Sequence, residues 1–228
     1  MSPSPQPDIA VVVLMEYRTG FHLLWGWSRF LFGRFALRNI DGLRFAKMMG
    51  SGHEGGFGLR PSFTRHGLFC VFAGHEAADN FLNSTWLRQA RPHVRSWHWL
   101  KLQAFSARGR WSGYEIAASV TSPDDGPVVS LTRASIRWSQ ALRFWRMAPP
   151  AEAALAHASG CRLSVGLGEA PVLRQATISV WDSVTSMNAY ARSGAHQLAI
   201  RAAYDGRHFS ESMFVRWRLL AQGDEHAV

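Results

Sequence analysis

The side chain whose local setting offers the most chemistry is His196. The stretch Ser193-Gly194-Ala195-His196-Gln197-Leu198-Ala199-Ile200-Arg201-Ala202-Ala203-Tyr204 is rich in alanine and predicts a helix entered through a glycine. His196, Ala199, Ile200 and Ala203 fall at i, i+3, i+4 and i+7, so they share one face. An imidazole then heads an apolar stripe whose small alanines leave room for something flat and large. Two readings stand on that pattern. One is a core histidine bonded to a carbonyl. The other is an axial ligand to a haem iron, for which a neutral imidazole on a rigid helix is suited. His208, beyond the helix end at Gly206, is the nearest other candidate.

Composition narrows the partners. The chain has 228 residues, enough for one large domain or two small ones with a real core. Ten Trp and fourteen Phe point to a large apolar pocket, a greasy substrate, a lipid-facing patch or simply a Trp-rich core. The formal net charge of +9 suits an anionic membrane surface or an acidic electron donor. The arginines are scattered without a Lys/Arg run, and no nucleic-acid signature is present, so nucleic acid is not expected as a partner. Cys70 and Cys161 lack a CxxC partner, which argues against a disulfide framework or a zinc site and predicts two reduced, unlinked thiols in a reducing cytoplasm.

The elements that must position His196 follow from periodicity. Residues 1–8 are Pro-rich and predict a disordered leader without a signal peptide's character; the apolar run 9–15 predicts a buried strand and is too short to span a bilayer. Residues 21–38 carry Trp25, Trp27, Phe30, Phe32 and Phe35 beside Arg29, Arg34 and Arg38, a basic aromatic helix that suits a packed position or a membrane interface. Glycines in 45–57, around His53, permit tight turns and close backbone approach, yet they form neither a Walker A loop nor GxGxxG. A strand at 68–73, a helix over 75–89 and a strand at 97–105 follow. Residues 122–127 mark the clearest boundary. The second half predicts a strand at 128–138, a helix over 139–147 stopping before Pro149-Pro150, a short helix at 151–159, strands at 163–169 and 173–181, a helix over 183–190 capped by Asp182 or Ser183, the His196 helix and a strand at 213–220.

Each half thus reads strand, helix, strand, strand, helix, strand, the ferredoxin-like pattern. The expected class is α+β: two tandem ferredoxin-like units, 9–122 and 128–221, joined by a linker at 123–127 and followed by a tail at 222–228. Back to back they form a dimeric-α/β-barrel-type fold with antiparallel sheets, and ligands favour crevices between sheet and helices in such a fold.

Several motifs, taken in order, resemble the spheroidene monooxygenase family of bacterial carotenoid synthesis. They are Phe45-Ala46-Lys47-Met48-Met49-Gly50-Ser51-Gly52 with Gly56-Phe57, Leu131-Thr132-Arg133-Ala134, Arg143-Phe144-Trp145, Val165-Gly166-Leu167-Gly168-Glu169-Ala170-Pro171, Tyr190-Ala191-Arg192, Gly194-Ala195-His196 and Ala199-Ile200-Arg201-Ala202. The resemblance runs from about residue 9 to 221 and departs in the leader and over 90–127. It implies a fold related to chlorite dismutase and dye-decolourising peroxidase, and haem b as cofactor with His196 as ligand to its iron. Arg192 and Arg133 are then candidates to pair the haem propionates. His53, His66, His75, His93, His98 and His208 gain no ligand role from it.

The implied reaction uses dioxygen with electrons from a ferredoxin-type donor, or peroxide. It places hydroxy or keto oxygen on an acyclic carotenoid or a similar apolar substrate, a ketone arising by loss of water from a gem-diol. Two rivals remain open at this stage: a cofactor-free monooxygenase of the same barrel acting on an aromatic substrate, and a non-catalytic haem- or lipid-binding protein. A homo-oligomer and peripheral contact with the inner face of the membrane are further expectations.

Overall fold

The computed structural model describes residues 6–52, 61–119, 121–170, 173–192 and 208–226. Its first half runs β1 (Ile9–Tyr17), α1 (Phe21–Leu37), β2 (Leu43–Gly52), β3 (Pro61–Phe72), α2 (His75–Leu82), α3 (Thr85–Ala90) and β4 (Val94–Gly109). Its second runs β5 (Val128–Ile136), α4 (Ala141–Ala156), β6 (Cys161–Ala170), β7 (Arg174–Trp181), α5 (Val184–Ala191) and β8 (Phe209–His226). The ferredoxin-like order occurs twice, as expected. The strands close into one barrel, β1-β3-β2-β6-β7-β5-β8-β4, with antiparallel neighbours throughout.

Alternation along each strand sends side chains in two directions. Inward go Ala10 and Val12 of β1, Phe69 and Val71 of β3, Leu100 and Leu102 of β4, Val129 and Leu131 of β5, Ile178 and Val180 of β7, and Val215 and Trp217 of β8, which form one continuous core. Outward from the first half go Val11, Val13, Met15, Leu68, Cys70 and Phe72, covered by Leu37, Phe81, Trp86 and Leu87 from the three helices. β1 is therefore buried on both sides, which explains its unbroken apolar run.

The halves meet at two seams. β4 and β8 share a long ladder from Ser96–His226 to Gly109–Met213. β2 and β6 meet more briefly, Gly50 across from Gly168 and Ser51 across from Leu167, with the Ser51 hydroxyl donating to the Gly166 carbonyl at 2.9 Å. Here the glycines of the 45–57 stretch lie within a strand as far as Gly52.

Other elements differ from expectation for identifiable reasons. The 75–89 helix is two helices, since Ser84 breaks away to cap α3, its hydroxyl accepting from the Leu87 amide. α4 continues through Pro149-Pro150 instead of stopping. The proline pair forfeits two helical hydrogen bonds without leaving helical φ, and the Ala-rich 151–156 resumes the ladder. β8 extends to His226 because β4 offers it partners as far as Ser96, so 222–226 is strand rather than tail. The leader's last residue, Asp8, is buried; its carboxylate accepts from Arg44 at 2.8 Å, Tyr114 at 3.0 Å and the Ala117 amide at 2.9 Å. The 110–119 stretch folds back on the barrel, where Trp111 lies fully buried and stacks on Phe69 at 5.4 Å.

Candidate functional site

The barrel interior is filled by its own apolar side chains, which leaves the outer faces of the sheet for a bulky ligand. The two halves differ sharply in the faces they turn to their helices. In the first half the ladder rows are Val11–Cys70, Val13–Leu68 and Met15–His66, with Ala46, Met48 and Gly50 beside them on β2. In the second half they are Ser130–Ser179–Ser164, Thr132–Thr177–Gly166 and Ala134–Gln175–Gly168. Arg216, Phe214 and Ser212 of β8 continue those rows on the other side. Large apolar side chains dominate the first layer; on β5, β6 and β7 small and polar ones floor the second.

That second layer is closed at one end. Phe105, Val128 and Trp181 pack there with Leu155 of α4 and Met187 of α5. The Trp181 indole donates to the Ser179 hydroxyl at 3.0 Å, and the Ser130 and Ser179 hydroxyls lie 2.8 Å apart. Tyr190 packs 5.2 Å from Trp181, and burial, with Cys161 nearby, pushes its phenol up to about 12. α5 itself starts where expected, the Ser183 hydroxyl accepting from the Ser186 amide.

The other end is flanked by His208, which precedes β8. It is 0% exposed, and neither ring nitrogen has a partner among the described residues. Burial first, and the positive Arg143 second, hold its pKa below the usual histidine value, so the ring is neutral. A buried imidazole with free nitrogens is costly unless something binds it.

Arg133 lies elsewhere. It follows Val129 and Leu131 on the inward side of β5, 2% exposed, at the mouth of the barrel. Its guanidinium pairs closely with Glu211, lies 3.9 Å from Glu169 and sits 5.5 Å over the Trp111 ring. Glu211 also accepts from the Ser112 and Gly113 amides at 3.1 and 3.2 Å. Glu169 accepts a hydrogen bond from the Trp111 indole N–H and lies 3.4 Å from Lys47. Burial raises the Glu211 pKa, but the two amides and Arg133 outweigh it and hold the carboxyl below its ordinary value. The sheet thus separates Arg133 from the layer, and this network of residues distant in sequence had no local signature.

Arg192 caps the end of α5, its amide bonded to the Asn188 carbonyl, and its side chain is exposed. His196 lies outside the described residues, in the segment that joins Arg192 to His208. His53 is likewise outside them. His66 is buried on the outer face of the first half, ringed by Tyr17, Trp27 and Phe30 at 5.1–5.2 Å, with both nitrogens unpartnered among the described residues. Burial lowers its pKa to about 4. The two cysteines are free, as expected, and burial raises both thiol pKa values. Among the described residues no group of three or more His, Cys, Asp or Glu could hold a bare metal ion. A haem would ask less of the chain than a bare ion, and the small-residue floor, with His208 at its edge unpartnered among the described residues, fits such a group.

A closed antiparallel barrel made of two ferredoxin-like halves is a dimeric α+β barrel. An aldoxime dehydratase of known structure shares the fold at a TM-score of 0.65, covering 94% of this chain and 82% of that one at 11% identity. No protein-family model matches the chain. Spheroidene monooxygenase of Rubrivivax gelatinosus is 53% identical over 211 residues, 92% of this chain and 81% of that protein. Spheroidene monooxygenase of Rhodobacter capsulatus is 33% identical over 217 residues, 93% of this chain and 90% of that protein. The chain belongs to the spheroidene monooxygenase family, whose activity is that of a monooxygenase.

Proposed function

We propose that the chain is a haem-dependent monooxygenase that introduces hydroxy or keto oxygen into an acyclic carotenoid or a similar long apolar substrate. The observation that carries the proposal is the asymmetry of the two helix-facing layers: Val, Leu and Met rows fill the first, while Ser, Thr and Gly rows floor the second. The family's relatives bear the name of the carotenoid they oxidise.

In this reading haem b would lie against the second layer. His196 would hold its iron, on the strength of the Gly-Ala-His motif, with His208 the alternative. Arg216 on the floor and Arg192 at the end of α5 are the candidates for the propionates, since a guanidinium fork matches a carboxylate. When bound, the haem supplies activation of dioxygen, with electrons from a ferredoxin-type donor, or of peroxide. The rest falls to the chain. Trp181, Leu155, Met187 and Phe105 wall the layer and exclude water. An apolar substrate gains orientation from such walls rather than from hydrogen bonds. Arg133, held by Glu211 and Glu169, stiffens the barrel mouth behind the floor.

The test is an absorbance spectrum from about 350 to 700 nm of the haem-loaded protein, where a bound haem gives a Soret band. His196→Ala is expected to abolish or strongly alter that band and to remove activity while thermal unfolding stays cooperative. Thr177→Trp, which fills the floor, is expected to exclude haem. An active protein that never binds haem overturns the proposal in favour of a cofactor-free enzyme. An unchanged spectrum in His196→Ala with loss in His208→Ala moves the ligand to His208.

A further inference from the structure

Opposite the candidate site, α1 turns an apolar stripe to solvent. Leu24 is 69% exposed, Leu31 58% and Phe32 64%, and Phe21 and Phe35 are exposed on the same side. Phe21, Leu24, Leu31 and Phe35 fall at i, i+3, i+10 and i+14, a row about 21 Å long at the helical rise. Exposed Phe63 of β3, 6.3 Å from Trp27, widens it. A contiguous patch of this size on a surface marks a contact.

Its charge says what kind. Residues 18–40 contain Arg18, Arg29, Arg34 and Arg38 and no Asp or Glu. Arg18 and Arg38 are exposed at the two ends of the helix, the Arg38 guanidinium lying 4.9 Å over Phe35. Arg29 sits along its flank over Trp25 at 4.7 Å. A second copy of the chain docking isologously would set arginine against arginine, with no carboxylate of this segment to offset them. An anionic bilayer meets both needs, taking the side chains into its acyl boundary and the guanidiniums at its phosphates. α1 has 17 residues, and no helix among those described is long and apolar enough to cross a membrane, so the contact lies in the interface plane.

We infer that α1 is a peripheral docking helix that lays its Phe21–Phe35 face on anionic membrane. The inference stands apart from the haem reading, since it uses no residue of the second layer. The test is co-sedimentation with vesicles of phosphatidylglycerol and phosphatidylcholine, against phosphatidylcholine alone. The wild-type chain is expected to bind the anionic vesicles and to lose most of that binding in about 0.5 M salt. The variant Leu24→Ser/Leu31→Ser/Phe32→Ser changes only exposed positions, so its thermal unfolding should match wild type while partitioning falls about tenfold or more. Arg18→Glu/Arg38→Glu should lower partitioning to a similar degree on anionic vesicles only. Absence of wild-type binding overturns the inference, as does a serine variant that sediments like wild type. A wild-type dimer that the serine variant converts to monomer in ultracentrifugation would assign the face to a second copy instead.

Discussion

His66 gives the chain a titration that can be isolated. Its ring is buried among Tyr17, Trp27 and Phe30, has no hydrogen-bond partner among the described residues and has its pKa lowered by burial to about 4. An unfolded histidine titrates near 6.5. A lowered folded value means that the unfolded chain takes up the proton first. The stability is therefore complete above about pH 6.5 and is lost as pH falls toward 4. At about 1.4 kcal/mol per unit, the loss is about 2 kcal/mol by pH 5 and about 3 kcal/mol by pH 4. Many carboxylates titrate over part of that range, so the comparison must be with His66→Leu, which removes the proton site and both unpaired nitrogens at similar size. Urea unfolding at about pH 7.5, 6.5, 5.5 and 5 gives both curves. The variant should match or exceed wild type at neutral pH and gain on it by about 2 kcal/mol at pH 5. Parallel curves, with a constant gap from pH 7.5 to 5, would refute the reasoning, because the ring would then have a proton partner in the folded state.

Two further outcomes follow from the barrel mouth and the thiols. Arg133→Met leaves Glu211 and Glu169 without their shared guanidinium and should destabilise by about 3–5 kcal/mol, while Arg133→Met/Glu211→Gln should lose clearly less; chemical denaturation of the two variants measures the coupling. Unfolding the protein without reductant should release two titratable thiols, since Cys70 and Cys161 are unlinked, and a count of none contradicts the structure.

Much of the fold was legible locally. The apolar run at 9–15, the helix over 21–38 and the Ser183 cap depend on side-chain types at short spacing, and β1, α1 and α5 stand where those rules put them. The repeated order of elements was legible for the same reason, and it implied the barrel. What misled was a pair with two local meanings: Pro149-Pro150 can end a helix or sit within one.

The sequence by itself determined the repeated ferredoxin-like order and the free thiols. Only the tertiary structure decided which face of each strand is lumen and which faces helices, because a period of two offers two faces and only barrel closure assigns them. That assignment sent Arg133 inward to Glu211, 78 residues away, although as a guanidinium in a Leu-Thr-Arg-Ala motif it could equally have met a propionate. It also sent Thr132 and Ala134 outward beside Thr177, Gln175, Gly166 and Gly168. No single strand reveals that floor, since each contributes only two or three small residues of a kind common in strands. The layer exists because strand register stacks them into rows.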